Sequence, residues 1–126
     1  MIELRKVSLA SAFDSFSETW SPRILARAND FALKAAKIEG EFVWHHHPDE
    51  DEIFLVVRGG IDMHYRSGEA DRIESFGPGE LLCVPRGVEH KPVAEAGTEI
   101  LLIERTETVN TGNVIDSARR VDARPT

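Results

Sequence analysis

From residue 23 onward, apolar and polar positions alternate in short bursts with turn residues between them. The bursts at 23–28, 31–38, 41–47, 52–57, 61–66, 72–76, 81–84, 89–93 and 99–104 predict strands. Asn29-Asp30, Glu39-Gly40, Pro48-Asp49, Gly59-Gly60, Ser67-Gly68, Gly77-Pro78-Gly79, Arg86-Gly87 and Ala96-Gly97 supply the turns. No long stretch of helical period separates these strands, so a βαβ sheet is excluded and an all-β sandwich or barrel is expected. Before them, Leu9, Ala12, Phe13 and Phe16 recur three or four apart, which predicts a short helix over 8–16. Ser21-Pro22 would end any helix there. Residues 105–126 carry only four large apolar residues, Val109, Val114, Ile115 and Val121, and read as a loose tail with a mobile end over 119–126.

With 126 residues and a mass of 14.1 kDa, the chain suits one domain. We expect an N-terminal segment at 1–21, a β-barrel at 22–104 and the tail at 105–126. Apolar residues make up 41% and charged residues 29%, enough to bury a core without metal or disulfide staples. The net charge of −7 argues against nucleic acid and against an anionic membrane surface. The longest apolar run, 53–57, is far too short to span a bilayer. Residues 1–13 mix Glu3, Arg5 and Lys6 among apolar residues, unlike a signal peptide, so a cytoplasmic protein is expected. Cys83 is the one cysteine and allows no internal disulfide. Set in Leu81-Leu82-Cys83-Val84, it reads as a small buried apolar residue and not as a nucleophile.

The chemistry concentrates in Trp44-His45-His46-His47-Pro48-Asp49-Glu50-Asp51-Glu52. Alternation in a strand puts His45 and His47 on one face, with Trp44 and His46 on the other. Two imidazoles about 7 Å apart on one face can grip one ion. A hairpin would return a carboxylate beside them, and parity alone leaves Glu52 and Asp51 both open. His90 and His64 are the remaining histidines available as a further ligand. Lys34 and Lys37 have opposite parity, so at most one faces a barrel interior, with solvation as the default. Either His64 or Tyr65 would enter the barrel. Arg86 and Glu89 read as exposed turn charges.

Two longer spacings carry a resemblance. His45-x-His47, four residues, Glu52, six residues and Gly59 form one pattern. Gly79, five residues, Pro85-x-Gly87, two residues and His90 form another. Both resemble the motifs of small single-domain cupins of type 2, including short chains labelled mannose-6-phosphate isomerase-like. Two positions depart: Gly40 lies four residues before His45 instead of five, and Ala94 stands where the second motif has Asn. The resemblance implies a double-stranded β-helix, or jelly-roll barrel. It also implies a metal held by His45, His47, Glu52 and His90, and so favours Glu52 over Asp51.

That ligand set sums to −1 and would become +1 with a divalent ion, which favours an anionic small molecule. It suits one Zn, Mn, Fe, Ni or Cu per chain. Cupins with such ligands include dioxygenases, isomerases, decarboxylases and lyases. The alternative is a cupin that binds a metal or ligand without turnover. No second domain is visible for a sugar-phosphate isomerase, and no helix-turn-helix for a regulator. A homodimer is expected, because pairing removes exposed sheet edges.

Overall fold

The computed structural model describes residues 3–113 and the pair 124–125. The mobile end expected over 119–126 lies outside the described residues except at that pair. Helix α1 (Leu9–Asp14) precedes β1 (Arg23–Ala28), β2 (Phe31–Glu41), β3 (Glu52–Arg58), β4 (Ile61–Ser67), β5 (Ala70–Phe76), β6 (Leu81–Val84), β7 (His90–Arg105) and β8 (Arg124–Pro125). The helix is shorter than expected. Its N-terminus is set by Ser8, whose side chain accepts from the Ser11 amide at 3.3 Å.

The sheet runs β5-β4-β7-β2-β1-β8, and β3 bridges β6 and β7. All pairings are antiparallel except β1 with β8. This is an all-β barrel, as the strand pattern predicts, and it accords with the jelly roll that the resemblance to cupins implies. The strands expected at 89–93 and 99–104 merge into β7. Its first half pairs with β4 and its second with β3, while β2 runs along both halves. The bend falls at 95–98, where Thr98 Oγ donates to the Glu95 carbonyl at 2.8 Å. Gly59 sits against this bend at φ +87°, and a Cβ there would overlap Thr98.

The strand expected at 41–47 is corrected. Beyond Glu41 the chain leaves the ladder and touches β7 through one bridge, His45 with His90. Two further backbone bonds hold it: the Phe42 amide donates to the Pro92 carbonyl of β7, and the Gly87 amide to the His47 carbonyl. The alternation survives without the strand, since His45 and His47 are buried while His46 is half-exposed.

Two apolar layers result. Inward-facing Ile38, Phe54, Val56, Ile61, Met63 and Ile100 fill the barrel. On the outer face, Ala12, Phe13 and Phe16 of the helix segment cover Leu25, Ala35 and Leu101. Burial of these side chains is worth about 1.5–3 kcal/mol each. Cys83 is exposed, a second correction: Leu82 and Val84 take the inward parity of β6, which turns Cys83 out. Tyr65 shares the inward parity of Met63, and His64 packs edge-on against Trp44 outside, with ring centroids 6.5 Å apart.

Candidate metal centre

The His45–His90 bridge is the frame of the site. The two amides and carbonyls exchange hydrogen bonds of 3.0 and 2.9 Å, which sets the two imidazoles 4.3 Å apart. Each ring is anchored through Nδ1: His45 to the Val43 carbonyl at 2.9 Å and His90 to the Val88 carbonyl at 2.8 Å. A carbonyl only accepts, so each Nδ1 carries the proton and each Nε2 presents a lone pair inward. His47 follows two residues after His45, with their rings 5.0 Å apart. Glu52, the first residue of β3, points inward. Its Oε1 lies 3.4 Å from Nε2 of both His47 and His90.

One ligand atom from each of these four buried residues lies within 4.8 Å of the others. Two donors about 2.1 Å from one ion are at most about 4.2 Å apart, so the cluster needs only slight contraction to close on a metal. His47 Nε2, His90 Nε2 and Glu52 Oε1 are buried, and beyond their long mutual contacts of 3.4 Å none makes a hydrogen bond. Orphaned polar atoms of this kind are costly in a dry interior, and a cation would satisfy all three together. The donor set therefore fits a possible metal site of three His and one Glu. Of the two carboxylates at 51 and 52, Glu52 is the one that lies with the three histidines. Asp51 is exposed and accepts from the Arg86 amide at 2.9 Å, and from the Arg86 guanidinium at 3.3 and 3.2 Å. His64 and His46 stay outside the cluster. His46 pairs with Glu89 at 3.1 Å.

Burial, then the charge of His90, lower the His45 pKa to about 3, so it is neutral at ordinary pH. Burial also opposes charge on His47, but hydrogen bonding and attraction to Glu52 outweigh it and raise its pKa. Burial pushes Glu52 upward, yet hydrogen bonds from Glu104, His47 and His90 hold it well below the usual carboxylate range.

Lys34 and Glu104 enter the site where the sequence suggested a solvated lysine. Lys34 is fully buried, and its Nζ donates to Glu104 Oε1 at 2.9 Å, and to the Thr108 and Arg105 carbonyls at 3.3 and 3.4 Å. The register explains it. Lys34 lies across from Leu102 and Ala32 from Glu104, so Lys34 and Glu104 share the inner face of adjacent strands. Ile53 lies across from Ile103, so one step along that register sets Glu52 beside Glu104. Their parity in β2 and β7 was readable in the sequence; the pairing of those strands was not.

The start of the tail is folded over the site. The Asn113 amide donates to the His46 carbonyl at 3.0 Å, and the His46 amide to Asn113 Oδ1 at 2.7 Å. Gly112, at φ +56°, approaches so closely that a Cβ would overlap the His46 carbonyl oxygen. Asn110 donates from Nδ2 to the Trp20 carbonyl at 3.0 Å. Trp20 is stacked on Phe42 at 4.4 Å. Between these parts a narrow pocket reaches His45, Glu52 and Glu104. Its other walls include Trp20, Phe42, Phe54, Ile100 and Leu102.

Comparison with known proteins agrees with this architecture. The Cupin domain family (Cupin_2) matches residues 35–104. The uncharacterized protein YdbB of Bacillus subtilis is 31% identical over 87 residues, 68% of this chain and 74% of that protein. A cupin-2 domain containing protein from Shewanella frigidimarina superposes with a TM-score of 0.73 at 39% identity, over 79% of this chain and 93% of that one. Protein NMB1881 from Neisseria meningitidis superposes at 0.70 with 28% identity, over 80% and 99%. The match spans more than half of the chain and takes in both histidine motifs, and on that ground the chain belongs to the cupin domain family.

Proposed function

We propose that this chain binds one divalent transition metal through His45, His47, Glu52 and His90, and uses it on a small organic molecule that enters beside Trp20 and Phe42. The observation that carries this reading is the cluster of buried donor atoms whose contacts are only with one another: two imidazole Nε2 atoms and one carboxylate oxygen, gathered with His45 around one point. A bound metal would supply a Lewis acid with positions left open for the molecule. The protein residues do the rest. Val43 and Val88 carbonyls fix the imidazole orientation, and the apolar walls exclude water. With Glu52, Lys34 and a divalent ion the site is net positive whether or not Glu104 is ionised, which favours an anionic oxygen on the molecule.

We read the chain as a single cytoplasmic unit. Among the described residues, no helix is long and apolar enough to cross a membrane. The same reading makes it a homodimer. Strand β5 leaves an open sheet edge, and Val57, Leu81 and Ile103 form an exposed apolar strip on the outer face of β3, β6 and β7. Light scattering should read twice 14.1 kDa; a monomer mass ends that part of the reading.

Elemental analysis of untagged protein, beside the His47→Ala variant, tests the function. We expect about one equivalent of Zn, Mn, Fe, Ni or Cu per chain, and at least a 10–100-fold loss of affinity in the variant. A chain that takes up none of these metals on titration refutes the proposal.

A further inference from the structure

Two of the four proposed ligands are anchored from behind by a backbone carbonyl, His45 by Val43 and His90 by Val88. Glu52 is held differently. Glu104, His47 and His90 hydrogen-bond to it. His47 and His90 belong to the cluster themselves, so Glu104 is the group that acts on Glu52 from outside it. Ionised carboxylates only accept, so a bond between two carboxyl groups runs through a proton on one of them.

Glu104 is itself fixed. Its Oε1 accepts from Lys34 Nζ at 2.9 Å, and Lys34 also donates to the Thr108 and Arg105 carbonyls at 3.3 and 3.4 Å. The side chains of Lys34 and Glu104 are 0% and 3% exposed, and water does not reach Glu104 Oε2. This carboxyl therefore faces protein on both sides, Lys34 on one and Glu52 on the other. The register puts it there, one step along β3 and β7 from the Ile53–Ile103 pair. A line of buried contacts thus runs from the start of the tail through Lys34 and Glu104 to Glu52. It ends at Glu52 Oε1, which stands 3.4 Å from Nε2 of both His47 and His90.

We propose that Glu104, braced by Lys34, is the positioning residue of the metal centre: it fixes the Glu52 carboxylate so that Oε1 faces the imidazoles. Glu104 acts through Glu52 and binds no metal itself. It does for the carboxylate what the Val43 and Val88 carbonyls do for two of the imidazoles. This inference rests on the metal-centre reading above.

The test compares the parent with Glu104→Gln and with Lys34→Met/Glu104→Leu. Gln keeps an oxygen for Lys34 and offers an N–H to Glu52. The apolar pair keeps neither contact and strands no buried charge. Zinc affinity is read by competition with a chelator, after the parent's zinc stoichiometry is established. Glu104→Gln should stay within about threefold of the parent, and the apolar pair should lose about 10–100-fold. The groups removed carry no net negative charge, so such a loss reads orientation and not charge. The second readout is the visible spectrum of cobalt(II)-loaded protein, which reports ligand geometry and does not follow barrel stability. It should match the parent in Glu104→Gln and differ in the apolar pair. Lys34→Leu/Glu104→Met, of the same design, stands in should the first pairing not fold. A folded apolar pair that keeps the parent's affinity or the parent's spectrum overturns the proposal, as does a Gln variant as weak as that pair. A parent that takes up no zinc overturns the metal reading and this inference with it, so the two failures are told apart.

Discussion

Replacing Lys34 by Met removes the one cation that Glu104 faces and keeps most of the side-chain volume. Three donated bonds go with it: one to Glu104 at 2.9 Å, and two to the Thr108 and Arg105 carbonyls at 3.3 and 3.4 Å. With Lys34 fully buried and Glu104 2% exposed, water cannot replace the lost partner. Removing one member of a buried ion pair costs about 3–5 kcal/mol, while replacing both by apolar groups is often neutral. The single variant should therefore lose about 4 kcal/mol and Lys34→Met/Glu104→Leu about 1 kcal/mol or less, a coupling too large for independent sites. Urea unfolding of chelator-treated protein reads this directly. At about 2 kcal/mol per molar, the midpoint should fall by about 2 M in the single variant and by under about 0.5 M in the double. Burial, then the charge of Glu52, already raise the Glu104 pKa well above the usual carboxylate value, and Lys34 opposes them. Loss of Lys34 pushes it further up. A carboxyl raised in the folded state gives stability that is fully present below its unfolded value of about 4.3 and lost as pH rises through the folded value. The gap between variant and parent should thus widen as pH rises. A single variant within about 1 kcal/mol of the parent, or a double variant as damaged as the single, refutes the burial argument.

The His47 pKa is raised above 6.5 in the metal-free chain, so its contribution to stability is complete below 6.5 and is lost as pH rises through the raised value. Zinc must displace that proton, so zinc affinity, corrected for the competing chelator's own protonation, should climb with pH over the same window. His45, at about 3, should add nothing there, and a flat affinity would contradict the assignment. Gly112→Ala should cost about 1–3 kcal/mol, because the added Cβ meets the His46 carbonyl and the backbone is at φ +56°. Gly68→Ala, at φ +63° with open space around it, isolates the strain alone and should cost less. Thermal melts of the two variants make the comparison, and equal shifts would show that the tail does not press on His46.

The legible part of this chain was set by local physics. Alternation and turn residues placed β1 and β6 at their ends and put His45 and His47 on one face, while the resemblance to cupin motifs added Glu52 and His90 to them. The unreadable part depended on which strands meet. Lys34 looks like any solvated lysine until β2 is laid against β7, and Glu104 reads as the polar end of a strand until β3 lies on the other side. Cys83 shows the converse: an apolar run suggests burial, but one residue of parity turns the thiol to solvent. The segment 41–47 carries strand alternation yet spends its backbone bonds on loops, one bridge and one bond to Pro92 of β7. Alternation specifies which side chains share a face, and long-range pairing decides whether a ladder forms.

The beginning of the tail is where composition misleads most. Its few apolar residues suggest a loose end, yet Thr108 and Thr111 are buried. It is held by polar contacts and not by a greasy face. Thr108 offers a carbonyl to Lys34, Asn110 ties to Trp20, and Asn113 closes a two-bond ring with His46. These ties join separate parts of one site: the charge beside the proposed metal ligand, the aromatic wall, and the backbone between two proposed imidazole ligands. A buried Lys34 in a dry barrel needs acceptors, and Glu104 supplies one oxygen. The carbonyls of Arg105 and Thr108 supply the remainder. The tail is therefore part of what holds the buried Lys34 beside Glu104, and this end of the barrel is built by electrostatics as much as by packing.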